Sequence, residues 1–269
     1  MRWTLVRVLL LKDLADVFRS KYVVLSLLFL PILFAIILPV MVVGLPTIVG
    51  TEGFNNPSFA SLEQLSPPLT DNWDTLDREQ RLLVFLNMIP LVLFLTFPSI
   101  LPSVLAPETI TGERERKTLE SLLSTPLTDQ ELLIGKILSS SLPSLLIVWL
   151  SLIPYSLLVN YFTYPTLGFL LLPNVRFFLI FLFFPPLIVF GSVSLMILVS
   201  LRVKMARDAQ QLSVMVLMPI VGLIIGETIG ALFDYLIFVI GVILLVLSDV
   251  LLYNLVRSAF QREKLLTMT

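Results

Sequence analysis

The chain has 269 residues, of which 57% are apolar and 14% charged, with a formal net charge of −1. A soluble domain carries about 25% charged residues and needs a polar exterior, so a mean hydropathy of +0.97 excludes a soluble enzyme, a disordered chain and a nucleic-acid-binding protein. With no cysteine and no histidine, the chain also lacks disulfides, thiolate–metal sites and the commonest general base. What remains is a polytopic membrane protein whose task is not chemistry on a substrate.

Residues 1–21 read as an amphipathic helix on the membrane surface. Trp3, Val6, Leu10, Leu14 and Val17 recur at spacings of three and four, and Lys12, Asp16 and Arg19 take the opposite face. A spanning helix needs about 20 apolar residues to cross roughly 30 Å of hydrocarbon. Six stretches reach or approach that length: 22–48, 82–106, 137–161, 177–201, 212–232 and 235–256. The first is too long for a secretory signal and is read as retained. The fifth is the weakest, because Gly226, Glu227 and Gly230 interrupt it. The predicted fold class is therefore all-α: six transmembrane helices behind an N-terminal surface helix, in one transmembrane domain over 1–269.

Basic residues set the orientation. If the N-terminus is cytoplasmic, Arg2, Arg7, Lys12, Arg19, Lys21, Arg114, Arg116, Lys117, Lys136, Arg202, Lys204, Arg207, Arg257, Arg262 and Lys264 lie inside, fifteen of the 18 basic residues. Arg78, Arg81 and Arg176 alone fall outside. The positive-inside rule then places both termini in the cytoplasm of a multi-pass protein of the cell membrane. Residues 50–80 become an acidic, proline-interrupted outer loop, and 162–175 a shorter one.

The most charged stretch is the cytoplasmic connection 107–136, PETITGERERKTLESLLSTPLTDQELLIGK. The spacing predicts a helix over 113–124 with Leu119, Leu122 and Leu123 on one face and Glu113, Arg114, Lys117, Glu120, Ser121 and Ser124 on the other. Glu113–Lys117 and Arg116–Glu120 are i, i+4 pairs of opposite sign. Pro126 ends the helix, since the residue before a proline is disfavoured in the α region. Thr128 and Glu131 then form a capping box that starts a second helix, running through Lys136 into the third span. Gly112 to Thr118 is not a phosphate loop, because it lacks the second glycine, the spacing and a preceding strand.

This connection resembles the cytoplasmic motif of ABC transporter permeases of the second, export-associated type. The matching positions are Glu113, Arg114, Glu115, Arg116, Thr118, Leu119, Glu120, Leu122, Leu123, Thr125, Pro126, Glu131, Leu132, Gly135 and Lys136. The family usually has glycine directly before Thr-Leu-Glu, where this chain has Lys117. The layout is similar too, as are ARDAQQLS at 206–213 and FQREKLL at 260–266. The resemblance implies a non-enzymatic transmembrane subunit that pairs with a second copy or paralogue and with two ABC ATPase subunits, which would hold the ATP and Mg. It implies no cofactor or metal in this chain, and a lipid environment. It also implies that Glu113, Arg114, Glu115, Arg116, Thr118, Leu119, Glu120, Leu122 and Leu123 form the coupling helix through which ATP-driven closure switches the spans between inward- and outward-facing states.

Two acids fall within the predicted spans. Asp249 lies in the inner half of the sixth span, with Tyr253 one turn on and able to donate to it; Glu227 lies in the outer part of the fifth. Each is either a cation or proton contact on a transport path, or a hydrogen-bonding group at an interface or the headgroups. The competing functions are a stand-alone secondary transporter or channel, which needs buried coupling residues and often paired halves, an intramembrane enzyme, and an ABC module that transmits force to an accessory protein.

Overall fold

The computed structural model describes residues 2–19, 21–45, 73–106, 110–203 and 234–260, with a few positions between 205 and 226. All the elements in these residues are helical. Five helices or helix runs are long and apolar enough to cross a membrane: Leu27–Gly44, Arg78–Leu105, Asp129–Leu167, Val175–Ser200 and Tyr235–Ala259. The expected span at 212–232 lies largely outside the described residues, and Glu227 wholly so, leaving five of the six expected spans seen.

Helix α1 (Trp3–Arg19) leads into α2 (Lys21–Leu38), which continues as a π-helical turn, Pro39–Gly44. The second span is not one helix. It runs as α3 (Arg78–Phe94), α4 (Phe97–Ile100) and α5 (Pro102–Leu105), because Pro98 and Pro102 each remove a backbone donor and reset the helix start. Two short helices, α6 (Thr111–Glu115) and α7 (Leu119–Leu123), precede α8 (Asp129–Leu167). The second cytoplasmic helix and the third span are thus one element of 39 residues. It starts at the expected capping box: Glu131 N–H donates to Thr128 Oγ1 at 3.3 Å, and Thr128 N–H to Glu131 Oε2 at 2.9 Å. Because α8 extends to Leu167, the expected outer loop 162–175 shrinks to a few residues before α9 (Val175–Ser200). The last described helix is α10 (Tyr235–Ala259).

Helix α8 is central: α1, α2 and α9 pack along it, and α10 packs mainly along α9. Buried apolar side chains fall into two clusters. The first holds Phe94, Phe97, Tyr155 and Phe184 in the middle of the bundle. Phe34 and Phe94 both meet Phe97 edge-on, with centroids 5.3 and 5.4 Å apart, the geometry that ring quadrupoles favour. Tyr155 donates to Asn87 Oδ1 at 2.8 Å, a fully buried polar clasp between α3 and α8. The second cluster lies at the end of the bundle that carries the basic residues. It joins Leu9, Ile110, Leu119, Leu122, Leu132, Leu133, Ile137 and Val193.

Helix α1 differs from its expected form. Of the expected stripe, Val6 is buried and Leu10, Leu14 and Val17 are half-buried, but the most buried positions include Leu9 and Asp13, and Trp3 is 62% exposed. The reason lies in α8: a Cβ on Gly135 would meet Leu9 Cδ2 at 2.6 Å. The close approach turns the Leu9 side of α1 inward and leaves Trp3, Leu11 and Phe18 outside.

Candidate functional site

The segment from Ile110 to Thr128 folds back across the basic end of the bundle as two short helices joined at a sharp turn. The expected single helix over 113–124 is broken at Lys117, whose φ is +57°. Lys117 N–H donates to Arg114 O at 3.0 Å and Thr118 N–H to Glu113 O at 2.9 Å. This pair of bonds is the Schellman closure of α6, which requires a left-handed residue and is normally built on glycine. Lys117 occupies the position where the resembled motif carries glycine. It therefore adopts a conformation that costs an L-residue roughly 1–2 kcal/mol.

Turning the chain at Lys117 brings Thr118 back onto Glu113, and its hydroxyl donates to Glu113 Oε2 at 2.7 Å. The other carboxylate oxygen, Oε1, lies 3.1 Å from Lys12 Nζ of α1 and 3.2 Å from Lys136 Nζ of α8. Lys136 Nζ also lies 3.0 Å from Asp13 Oδ2, and Asp13 Oδ1 3.8 Å from Lys12 Nζ. Two acids and two bases thus close a ring that joins three elements. The Lys136 side chain is 2% exposed, those of Asp13 and Glu113 10%, and that of Lys12 51%. Burial alone would push the Glu113 carboxyl up. The Lys136 ammonium, the Thr118 hydroxyl and Lys12 outweigh burial and hold it at about 2. Lys12 is correspondingly raised: its burial acts downward, but the bond and charge of Glu113 together with the charges of Asp13 and Asp16 outweigh it.

A second tie lies a turn and a half away. Arg2 donates its backbone N–H to Glu131 Oε1 at 2.5 Å and its guanidinium to Glu131 Oε2 at 3.2 Å and to the Pro126 carbonyl. Helix α1 is therefore fastened to the folded-back segment at its first turn and again at its middle.

The expected site residues divide by position. Glu113 points inward, away from the outer surface. Arg114 is half-buried and donates to Val203 O at 2.8 Å. Leu119 and Leu122 are buried against the ends of α8 and α9. Glu115, Arg116, Thr118 and Ser121 are exposed on the outer side of the turn. The side chains of Glu120 and Leu123 lie outside the described residues. The expected i, i+4 pair of Glu113 with Lys117 is replaced by the pairs with Lys12 and Lys136. Sequence reasoning missed Lys12, Asp13 and Arg2 as partners. The available signal was Asp13, four residues after Leu9 on the buried stripe of α1.

Asp249, on α10, is 7% exposed and packs against α9, where a Cβ on Gly191 would meet its Oδ1 at 2.5 Å. Among the described residues it has no hydrogen bond or ion pair. Tyr253 does not donate to it; the Tyr253 ring instead packs on Phe190, with centroids 6.4 Å apart.

No curated protein matches the chain. Residues 7–265 match the family described as "ABC-2 family transporter protein". That match covers nearly the whole chain, including most of α1, the folded-back segment and every described span, so this multi-pass membrane protein belongs to the ABC-2 family and is an ABC transporter permease.

Proposed function

We propose that this chain is the transmembrane subunit of an ATP-driven exporter, working by alternating access with two ABC ATPase subunits and a second copy or paralogue of itself. ATP and Mg belong to the ATPases. Both termini and the folded-back segment face the cytoplasm of a cell-membrane protein, as fifteen of 18 basic residues favour. The exposed apolar side chains Trp3, Leu11 and Phe18 of α1 then rest at the lipid headgroups.

The observation that carries this reading is the charge ring. The folded-back segment meets the ATPase with Glu115, Arg116, Thr118 and Ser121, and is tied behind by Glu113 to Lys136 near the start of a 39-residue spanning helix. A displacement at the outer surface is thereby delivered to α8 through buried ion pairs and the Leu119–Leu122 seam. These rigid contacts have few alternative arrangements.

The test separates docking from transmission. Exchanging the exposed charges, Glu115→Arg with Arg116→Glu, should lower ATPase co-purification and make it more salt-sensitive. Glu113→Gln should leave co-purification near normal while uncoupling ATP turnover from transport in lipid. If both exchanges left complex and coupled turnover intact, the segment would be a solvated connection and the reading would fail.

A further inference from the structure

Lys117 stands at the corner between α6 and α7 with φ +57°. Backbone bonds alone close that corner, from Lys117 N–H to Arg114 O and from Thr118 N–H to Glu113 O, and glycine would make both without steric cost. Nothing inside the chain compensates the strain. The Lys117 side chain is exposed, and its ammonium makes no hydrogen bond or ion pair with any described residue. Its neighbours differ: Glu113 is held by Lys12 and Lys136, and Arg114 by the Val203 carbonyl. A strained position that carries a long charged side chain with no internal contact directs attention outward, to a partner.

Position and chemistry narrow the partner. Ile110, Leu119 and Leu122 are buried against the ends of the spans, so the folded-back segment lies across the end of the bundle and its exposed side faces away from it. Lipid headgroups surround a bundle of spans and do not cap it. A protein seated on the end of the bundle is the partner that this corner meets. A lysine is a compact charge on a flexible four-carbon stem, suited to reach from a convex corner into a recess and pair with one carboxylate. The closed turn fixes the point from which the stem leaves, so that docking has only side-chain freedom to restrict.

We propose that Lys117 is a specificity-determining contact with the ATPase: its ammonium enters an acidic recess on that subunit and pairs with an aspartate or glutamate there. An ATPase without that acid, suited to a permease with glycine at this corner, binds the present chain less well. The inference rests on the exporter reading and deepens it by naming the chemistry of the ATPase surface.

The experiment uses the full chain in lipid nanodiscs and the ATPase that co-purifies with it. Lys117→Gln keeps the strained side chain and removes the charge, Lys117→Gly removes both, and Lys117→Arg keeps both. The Gln and Gly variants should each bind the ATPase about tenfold more weakly at low salt, and most of that difference should vanish at about 0.5 M salt. The Arg variant should bind within about twofold of the native chain. Thermal unfolding of Lys117→Gly should not fall, so its weaker binding is no folding defect. In the native complex, zero-length carbodiimide coupling should join Lys117 Nζ to an aspartate or glutamate of the ATPase, and Lys117→Gln should lack that product. Weak binding by Lys117→Gly alone, with Lys117→Gln native-like, would trace the effect to the backbone and overturn the proposal. A defect seen in phosphatidylglycerol nanodiscs and absent in pure phosphatidylcholine would assign the ammonium to lipid headgroups and overturn it too. If all three variants bound normally while Glu115→Arg with Arg116→Glu weakened binding, the role of Lys117 would fall and the exporter reading would stand. If that exchange also left binding intact, or if no ATPase co-purified, the exporter reading itself would fail.

Discussion

Lys136 Nζ lies 3.2 Å from Glu113 Oε1 and 3.0 Å from Asp13 Oδ2, so one fully buried ammonium holds together the folded-back segment, the N-terminal helix and the third span. Removing one partner of such a cluster leaves a buried charge uncompensated, which costs about 3–5 kcal/mol. Glu113→Gln or Lys136→Met alone should lower thermal stability in detergent by that order. The double variant should cost clearly less than the sum, because neither residual charge is stranded. A strictly additive cycle would show that the two groups do not interact.

The pH dependence has a definite sign. The Glu113 carboxyl is held at about 2, against an ordinary value of 4.5, so its ionised form is favoured by the fold. Its contribution is complete above about pH 4.5 and is lost as pH falls toward 2. A spin label at Ser121, on the exposed side of the segment, should keep constant mobility from pH 7 to about 4.5 and loosen between there and about 2. In Glu113→Gln that transition should shrink to the part owed to Glu131, which is also held at about 2. Loosening at pH 6 in the native chain would contradict the assignment.

At Lys117 the backbone itself is testable. Glycine adopts the left-handed region without steric cost, so Lys117→Gly should leave stability unchanged or raise it by up to about 1 kcal/mol. Lys117→Val should destabilise by about 2 kcal/mol or more, because a β-branched side chain fits that region least well. Thermal unfolding of the three proteins would rank them. The order Val above Lys would rule out the Schellman turn.

The contact between α1 and α8 predicts a compensating pair. Gly135→Ala would press on the end of Leu9 and should cost about 1–3 kcal/mol as an overpacked core does. Combining it with Leu9→Ala should relieve the clash, so that the pair is less destabilised than the two single losses added. The comparison is again a double-mutant cycle.

Much of this architecture is written in local patterns. Hydropathy runs of about 20 residues marked the five described spans because a spanning helix must satisfy its own backbone. The capping box at Thr128 and Glu131 was readable because it is fixed within four residues. The break at Lys117 was half visible: the resembled motif has glycine there, and a lysine hides the need for a left-handed residue. The charge ring was not readable. It joins Lys12 and Asp13 to Glu113, about a hundred residues on, and no periodicity connects them. The same holds in part for the face of α1. Helical spacing found the inward side of α1 from Val6 to Val17, whereas its rotation toward Leu9 and Asp13 follows from a glycine on another helix. Asp249 was conspicuous in sequence as an acid within a span, but its lack of a partner among the described residues and its packing on Gly191 depend on how α9 and α10 pack.

The 39 residues of α8 amount to roughly 58 Å of helix at 1.5 Å per residue, about twice the hydrocarbon thickness. Pro143, Pro154 and Pro165 are spaced evenly along it, three helical turns plus about 20° apart, so the three interruptions share one stripe. Bends that share a direction add up to a bow, whereas bends at scattered azimuths cancel. A bowed strut stores a push applied at one tip as a change of curvature and returns it at the other. On this view a small displacement of the Lys136 tip would become a sideways swing of the far end, beyond Pro165.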